Sequence, residues 1–384
     1  MGDTNATEQL NAPLPEDLSR LRVVLSHDWL TGMRGGERVL ELLCGAYPNA
    51  PILTLIRNRS AVSDAINRHP VTTSWLQRLP GVARYYRNLL PLFPMAAAGL
   101  RPGRADLLIS TSHCVAKAVR PPPGTRHLCV CFTPMRYAWT FHDEYFGRNP
   151  LKRMLVGPML AALRRWDARV SDRVHRFVAI SRHVQERIRR CYGRDSDVVY
   201  PPVDTGRWTP GVGAPGEFDL IVSALVPYKR IDLAVAAYAR MSRTLKIVGI
   251  GGDAARLRRL APPNVEFLGW LPDEQLLPYY RGCRMLLFPG EEDFGLVPLE
   301  AQACGRPVVA FGRGGALETV EDGVSGVFFR EQTAAALADA VQRSLATPWD
   351  TARIRAHAER FSVAAFWQGM EASIRQCLRP DVCA

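Results

Sequence analysis

The stretch EEDFGLVPLEAQACGRP at residues 291–307 places two carboxylates, Glu292 and Glu300, eight positions apart on either side of Gly295. The apolar run RMLLFPG before it has the composition of a strand, and LVPLEAQAC that of a helix beginning near Leu296. Two chemistries fit the carboxylates: acid/base hydrolysis of a glycosidic bond, or capture of a sugar nucleotide. Taken alone, the spacing favours neither and is more typical of surface glutamates.

A helix that begins just after Gly295 directs its first-turn N–H groups and the positive end of its dipole outward, which suits a phosphate. Gly295 permits a turn there that few other residues tolerate. Glu300, about a turn further on, would then accept both hydroxyls of a ribose, and Glu292 would reach a sugar on the far phosphate. This predicts the order ribose, diphosphate, sugar along the ligand.

A diphosphate also needs cations, and SALVPYKR offers Lys229 and Arg230 just after the predicted strand Leu220–Ser223. Loops at the carboxyl ends of strands in a doubly wound sheet face one crevice, so this loop and the glutamate loop should meet. The glycine-rich stretches GIGGD and GRGGALETVEDG are weaker signs of the same edge. A hydrolase gives no reason for the cation pair, and the capture of a sugar nucleotide is therefore favoured.

The elements that must position these residues repeat as strand, loop and helix in both halves of the chain. In the first half, predicted strands cover Leu21–Ser26, Ile52–Ile56, Leu107–Ser110, Leu128–Phe132 and Phe177–Ile180. In the second half they cover Leu220–Ser223, Leu245–Gly249, Val265–Phe267, Met285–Phe288 and Val308–Phe311.

The segment VVYPPVD (Val198–Asp204) interrupts this alternation, because its two prolines continue neither strand nor helix. It predicts an N-terminal domain over residues 1–202 and a C-terminal domain over 203–361. An amphipathic helix over Ser362–Leu378 follows the last strand, and we expect residues 362–384 to pack back on the first domain. At 384 residues, two domains are also what the length favours.

The net charge of +12 belongs to the first half, where residues 1–200 hold 29 Lys/Arg against 16 Asp/Glu. Residues 201–384 hold 20 against 21. This asymmetry favours a polyanionic partner, although arginines on solvated faces explain it equally well. The chain opens without a signal segment, its nine cysteines lack a paired framework, and no apolar stretch reaches spanning length. We therefore expect reduced thiols and a cytoplasmic location.

Several motifs together resemble the retaining glycosyltransferases of the GT-B fold, glycosyltransferase family 4. The resemblance runs over most of the chain and is densest from Val198 to Phe329. It rests on YPPVD, VPYKR, NVEFLGWLPDEQL, FPGEEDFGLVPLEAQACGRPVVA and GGALETVEDGVSG, in the family's order. In the first half, HDWLTGMRGGERVLE, SWLQRLPG, STSHCVAKAV and TPMRYAW look similar to a bacterial polysaccharide subgroup, often mannosyltransferases that use GDP-mannose.

The resemblance implies an α/β fold with two Rossmann-like, doubly wound domains facing each other across a cleft, an N-terminal acceptor-side domain and a C-terminal nucleotide-sugar domain. It also implies transfer of a sugar to a glycan or polyprenyl-linked acceptor in bacterial polysaccharide synthesis. The likeness to the subgroup implies that this sugar is mannose and that the donor is GDP-mannose. A UDP-sugar donor and a nucleotide-sugar epimerase or phosphorylase stay open as alternatives.

The same resemblance implies roles for individual residues. Glu292 would contact the transferred sugar, Glu300 the ribose, and Lys229 with Arg230 the diphosphate. Backbone amides would face the diphosphate from Phe294, Gly295, Leu296 and Val297. The turn at Gly35 and Gly36, in the other domain, would close over the phosphates.

Two departures from the family pattern concern these contacts. Ala224 stands where the family often has Arg, so that Arg230 would have to replace a missing cation. Phe132 stands where many relatives have His before TPMRY, which leaves the donor sugar open. His113, His27 and Arg136 are further candidates for contact with the acceptor or the cleft, and His113 could face the cleft beside Lys117. A hydrogen-bonded structural role is the commoner one for such histidines.

Asp195-Ser196-Asp197 matches a DxD metal motif, yet it has no third ligand nearby and a solvated polar loop is the better interpretation. No His/Cys cluster has metal-ligand spacing, so we expect no essential metal and no cofactor beyond the nucleotide-sugar substrate. Cys304, on the predicted glutamate helix, is interpreted as packing.

Residues 74–99 mix Trp75, Tyr85, Tyr86 and Phe93 with three arginines, Arg78, Arg84 and Arg87. Aromatic and basic character together suit a peripheral site on the anionic inner face of the cell membrane. A helical pair broken by prolines on the domain surface explains the segment equally well. Nucleic-acid binding is the remaining interpretation of the basic half, but no known module supports it.

Overall fold

The computed structural model describes residues 14–139 and 150–379. The chain divides into two compact units, the first comprising Met1–Pro201 with Phe366–Ala384 and the second Pro202–Ala365. The division falls between the two prolines of VVYPPVD.

The first unit is built on a seven-stranded parallel sheet in the order β3-β2-β1-β4-β5-β6-β7. Its central strands β1 and β4 are buried along their whole length, as near-continuous apolar strands covered on both faces must be. The strands are β1 Val23–His27, β2 Ile52–Thr54, β3 Val71–Thr73, β4 Leu107–Ser112, β5 Arg126–Cys131, β6 Arg176–Ala179 and β7 Ser196–Val198.

Helices connect these parallel strands. The α-helices of the first unit are Glu16–Ser19, Gly35–Ala46, Asp64–Asn67, Phe93–Ala98, Arg136–Trp139, Pro150–Ser171 and Arg182–Tyr192. Short 3-10 helices cover Arg59–Ala61, Trp75–Arg78, Val82–Arg84, Tyr86–Leu92 and Ala116–Ala118.

The second unit contains a six-stranded parallel sheet in the order β10-β9-β8-β11-β12-β13. Its strands are β8 Phe218–Val222, β9 Thr244–Val248, β10 Val265–Gly269, β11 Leu286–Phe288, β12 Val308–Phe311 and β13 Gly326–Phe329. The 3-10 helix Pro227–Lys229 precedes α-helices at Ile231–Tyr238, Ala254–Leu260, Asp273–Gly282, Leu296–Ala303, Ala316–Thr319, Ala334–Ala346 and Thr351–Glu359.

The final helix, Val363–Leu378, lies against the first unit. Its Arg375 donates to Asp17 at 2.6 Å, and its Ser373 hydroxyl donates to Asp197 at 2.8 Å. These contacts join the end of the chain both to its first described helix and to the edge strand β7.

The predicted doubly wound architecture is confirmed, and most predicted strands lie within two residues of the observed ones. Three short strands were not predicted: β3, β7 and β13. The prediction of a solvated loop at Asp195-Ser196-Asp197 was wrong, because Ser196 and Asp197 belong to β7. The Asp197 carboxylate accepts from the Arg176 guanidinium of β6 and is thus part of the sheet edge.

Candidate functional site

Strand order reverses in the second unit between β8 and β11, which follow each other in the sheet but not in the chain. Helices on both faces diverge at such a point and leave a crevice beyond the carboxyl ends of the strands, where ligands bind in doubly wound folds. The loop after β8 ends at Lys229 and Arg230, and the loop after β11 carries Glu292. The sheet topology alone thus brings the predicted cations to the predicted carboxylate.

Lys229 and Glu292 form an ion pair at this point. Their side chains are only 15% and 18% exposed, so water screens the pair less than it would at an open surface. The Lys229 ammonium also lies 5.3 Å from the ring centroid of Tyr228. Since an ammonium has three N–H groups, Lys229 can hold Glu292 and still donate to a phosphate.

Arg230 is held differently from Lys229. It is the non-glycine residue with a positive φ (52°) in the described part of the chain, a conformation that usually persists only where its surroundings impose it. Its guanidinium donates to Gln332 at 3.0 Å and to Asp232 at 3.3 Å. Gln332 in turn donates to the carbonyl of Pro289 at 3.2 Å. Arg230 therefore ties the β8 loop to the β11 loop.

Gly295 has φ 104° and the helix Leu296–Ala303 begins directly after it, as predicted. The first N–H groups of a helix have no partner within it, so those of Leu296 and Val297 can serve a ligand. Pro298, the third residue of the helix, has no N–H and adds no further donor. The Phe294 side chain is buried, with its ring centroid 6.0 Å from that of Phe361, so only its backbone can contribute.

Glu300 has a partner that sequence patterns did not reveal. The Tyr280 hydroxyl donates to its Oε2 at 2.7 Å, and the Tyr280 ring packs edge-on against Trp208 at 5.1 Å. Burial, together with the Glu300 charge, raises the pKa of Tyr280 well above its ordinary value, so the hydroxyl keeps its proton. This bond orients the Glu300 carboxylate.

The loop after β12 is the third loop that contributes to the site, after those that follow β8 and β11. The N–H of Gly315 donates to the carbonyl of Glu292 at 2.8 Å, which holds the backbone of the β11 loop. Cys304, at the end of the helix Leu296–Ala303, is fully buried, and burial raises the pKa of its thiol to about 12. A protonated, enclosed thiol fits its predicted packing role.

In the first unit, Gly35 and Gly36 begin the helix Gly35–Ala46, whose N-cap residue Arg34 exchanges capping hydrogen bonds with Glu37. The ring of Phe132 lies 3.1 Å from the position that a Cβ on Gly36 would take. Phe132 therefore packs onto the glycine turn.

His113 has a buried carboxylate behind it. Asp28 directly follows β1. Its carboxylate lies 2.9 Å from His113 Nδ1 and accepts hydrogen bonds from the backbone N–H groups of residues 113–116 at 2.5–3.0 Å. Burial opposes the charge on Asp28, but His113 and these N–H groups outweigh it and hold the carboxyl pKa well below its usual range. The His113 side chain is 29% exposed, and its ring packs against Trp29 at 4.5 Å. His113 is thus an oriented, accessible imidazole.

Other candidates of the first unit lie elsewhere than predicted. His27 is only 1% exposed and is therefore buried. Its Nδ1 shares a hydrogen bond with the Thr111 hydroxyl, 2.7 Å away. Lys117 is equally buried and pairs with Asp167, which also accepts from Trp139 and Tyr192. Neither residue can meet a ligand directly. Arg136 begins the helix Arg136–Trp139 and is half-buried.

Within residues 14–139 and 150–379, no cluster of three or more His, Cys, Asp or Glu has a geometry for holding a metal ion. Over the same residues, no helix combines the length and the apolar character needed to cross a bilayer.

Two doubly wound units in one chain are the architecture of the GT-B class of fold. The profile described as Glycosyltransferase Family 4 matches residues 33–207, and that described as Glycosyl transferases group 1 matches residues 219–347. The chain belongs to the GT-B glycosyltransferases.

Curated relatives include D-inositol 3-phosphate glycosyltransferases. That of Acidothermus cellulolyticus is 35% identical over 206 residues, 44% of this chain and 46% of the relative. That of Frankia alni is 33% identical over 222 residues, 49% and 54% of the two chains. The chain thus matches about half the length of these relatives.

Solved structures match over more of the chain. HepE of Anabaena, in complex with UDP and glucose, superposes with a TM-score of 0.68 over 93% of this chain and 100% of its own, at 19% identity. Sucrose-phosphate synthase of Thermosynechococcus elongatus superposes with a TM-score of 0.67 over 92% and 98%, at 20% identity. At such identities the likeness shows the fold alone.

Proposed function

We propose that this protein transfers a glycosyl group from a nucleoside diphosphate sugar to a hydroxyl of a glycan or lipid-linked glycan, with retention of anomeric configuration. Mannose from GDP-mannose is the proposed donor, because the first half resembles that subgroup. The observation that carries the proposal is the Lys229–Glu292 pair at the switch point, beside the helix start at Leu296. It supplies a cation and amides for a diphosphate and a carboxylate for the attached sugar.

In the proposed reaction, the bond from the anomeric carbon to the diphosphate breaks as a bond to the acceptor oxygen forms on the same face. The acceptor hydroxyl gives its proton to the departing phosphate oxygen. Negative charge grows on the leaving group, and Lys229 with the N–H groups of Leu296 and Val297 stabilises it. The ring of the transferred sugar carries positive charge in the transition state. The Glu292 carboxylate stabilises that charge without forming a covalent bond.

The remaining residues hold the donor in this proposal. The Glu300 carboxylate, fixed by Tyr280, accepts the ribose hydroxyls. Arg230 keeps the β8 and β11 loops together and replaces part of the charge missing at Ala224. Because protein cations and amides serve the leaving group, no divalent ion is required.

The test is a transfer assay with GDP-mannose, UDP-glucose and ADP-glucose as donors and octyl mannoside as the acceptor, with and without EDTA. We expect nucleoside diphosphate release that depends on the acceptor, persists in EDTA and gives an α-linked product by proton NMR. A UDP-sugar donor is the main alternative, and preferential turnover of UDP-glucose would establish it. Release of free sugar without acceptor, at the same rate as nucleoside diphosphate release with acceptor, would contradict transfer. A β-linked product would contradict retention.

We further propose that the first unit binds an anionic membrane surface through Trp75, Tyr85 and the arginines around them. Residues 65–105 contain six arginines and no acidic residue. Trp75 is 40% and Tyr85 37% exposed, and Arg78, Arg84 and Arg87 are exposed beside them. Exposed aromatic side chains among arginines suit lipid head groups.

Two of the predicted membrane contacts need correction. Tyr86 and Phe93 are buried and pack on Trp29 with ring centroids 5.1 and 5.8 Å away. They belong to the core of the first unit and cannot contact lipid.

Flotation with phosphatidylcholine vesicles, with or without phosphatidylglycerol, checks the membrane proposal. An arginine near an anionic surface contributes about 1 kcal/mol, so Arg84→Gln with Arg87→Gln should lower partitioning about 30-fold. Arg259→Gln, at an exposed arginine of the second unit, should leave it unchanged. Equal flotation with neutral and anionic vesicles would refute the proposed surface.

A further inference from the structure

The first unit has a switch point of its own, between β1 and β4, which are neighbours in the sheet but not in the chain. The two strands pair with His27 opposite Thr111. Asp28 directly follows β1 and His113 directly follows β4, so both residues leave the sheet at its carboxyl edge, side by side. Ligands of doubly wound folds bind outside this edge, at the switch point. The sheet topology therefore puts the Asp28–His113 pair where a ligand of the first unit would bind.

The His113 imidazole is held on two sides. Its Nδ1 lies 2.9 Å from the Asp28 carboxylate, and its ring stands edge-on to that of Trp29, at an interplanar angle of 85°. Asp28 and Trp29 are both buried, whereas the His113 side chain is partly exposed. A side chain fixed in this way has little freedom left to lose when it binds a ligand. His113 is thus preorganised to present the edge of its ring that faces away from Asp28.

The contact with Asp28 decides which atoms His113 can offer. The Asp28 carboxyl is ionised, since its pKa lies well below the usual range, so the proton between the two groups belongs to Nδ1 of His113. Nε2, on the other side of the ring, carries a lone pair in the neutral imidazole and an N–H in the imidazolium. A hydroxyl group suits both states, because it can donate a hydrogen bond or accept one.

The charges around His113 favour a neutral ligand over an anionic one. The Asp28 carboxylate balances any positive charge on the imidazole. A second buried carboxylate, Glu37, lies 3.8 Å from Nε2 of His27, the residue before Asp28. Burial opposes the charge on Glu37, but the interaction with His27 outweighs it and lowers the carboxyl pKa. Two ionised carboxylates behind the surface disfavour a phosphate at His113, whereas the hydroxyl of a sugar carries no charge.

We infer that His113 binds a hydroxyl group of the acceptor sugar through Nε2, and that Asp28 is the positioning residue that orients the imidazole for this bond. The inference rests on the proposed function and assigns a contact with its acceptor to the first unit. A contact made equally in the ground state and the transition state changes KM for the acceptor and leaves kcat nearly unchanged. The donor contacts proposed for Lys229 and Glu292 belong to the second unit and do not depend on it.

Initial rates of transfer to octyl mannoside, with the nucleotide sugar that the wild type uses best, test this inference. Loss of one hydrogen bond in His113→Ala should raise KM for the acceptor about 3- to 10-fold and leave KM for the donor unchanged. His113→Asn keeps an amide near the position of Nδ1, beside Asp28, but has nothing at that of Nε2, so it should resemble His113→Ala. His113→Gln carries its amide to the position of Nε2 and should recover part of the loss.

His175→Ala is the matched control. His175 is an exposed histidine of the same unit that directly precedes β6, at the amino edge of the sheet, and its Nδ1 accepts from the N–H of His127 at 2.9 Å. We expect His175→Ala to keep the wild-type KM for the acceptor. GDP should bind every variant with the same Kd in calorimetric titration, which shows that the variants are folded.

Wild-type KM for the acceptor in both His113→Ala and His113→Asn would overturn this inference and leave the proposed function standing. A rise in KM for the donor in place of the acceptor would do the same. Equal KM values in His113→Gln and His113→Asn would reduce His113 to a support of its loop and also overturn the inference. Failure of the wild type to transfer from any donor would instead overturn the proposed function, and this inference with it.

Discussion

Lys229→Ala is expected to lower kcat for sugar transfer about 10²- to 10³-fold and to raise KM for the donor. The size follows from the loss of one fixed donor to a leaving group that gains negative charge in the transition state. The ammonium is only 15% exposed, so water does not readily replace it. Initial rates at varied donor concentration separate the two parameters.

Loss of Lys229 also leaves Glu292 without its partner, and a bare carboxylate would repel the incoming diphosphate. The double variant Lys229→Ala with Glu292→Gln removes that repulsion. We expect the double variant to bind donor better than Lys229→Ala does, while its kcat stays low. Recovery of wild-type kcat in it would show that Lys229 serves only to neutralise Glu292.

Lys246→Ala is the matched control for this experiment. Lys246 lies in β9 of the same unit and faces Glu266 at 3.6 Å, with a side chain 25% exposed. Its loss removes a lysine from a lysine–glutamate pair away from the switch point, and activity should stay within about twofold of the wild type because surface pairs contribute little. A comparable loss of kcat in both variants would contradict the role assigned to Lys229.

The meeting of Lys229 with Glu292 could be predicted because it follows from chain order and sheet topology. Two strands rich in branched apolar residues, each ending in a loop, place those loops at one crevice once the sheet is parallel. The start of the helix after Gly295 could also be predicted from neighbouring residues, because a glycine turn followed by helical apolar spacing defines it. Such features depend on a few neighbouring residues and are readable from them.

The partners of buried polar groups could not be predicted in the same way. Lys117 looked accessible because Asp167, which makes its burial possible, lies 50 residues further along the chain. Tyr280 and Glu300 are 20 residues apart in the chain, and only the fold brings the Tyr280 hydroxyl to the carboxylate. His27 follows a strand as a ligand-binding histidine would, yet the neighbouring strand encloses it.

Short strands at sheet edges escaped prediction for a related reason. SDV in β7 has neither the length nor the apolar alternation of a strand. It pairs with β6 through the backbone, and its Asp197 accepts from Arg176 of that strand. The same carboxylate accepts from Ser373 at the end of the chain. An acidic motif that suggested a metal ligand therefore serves to close the sheet edge.

Glu292→Gln should lower kcat on the order of 10²-fold, as Lys229→Ala does, but KM for the donor should stay equal or decrease instead of rising. The amide keeps the size and part of the hydrogen bonding of the carboxylate but not its charge, which opposes positive charge only in the transition state. Removing that charge also frees the Lys229 ammonium for the diphosphate, so ground-state binding does not suffer.

Glu291→Gln removes an exposed carboxylate one residue away and separates the specific contribution of Glu292 from a general change of charge in the loop. We expect Glu291→Gln to keep wild-type kcat, since its side chain lies outside the ion pair. The two variants have the same net charge, so a long-range electrostatic effect would lower both rates together. A loss confined to Glu292→Gln, without a rise in KM, requires that the carboxylate act beside the reacting carbon; a tenfold rise in KM with normal kcat would show that it only binds the donor.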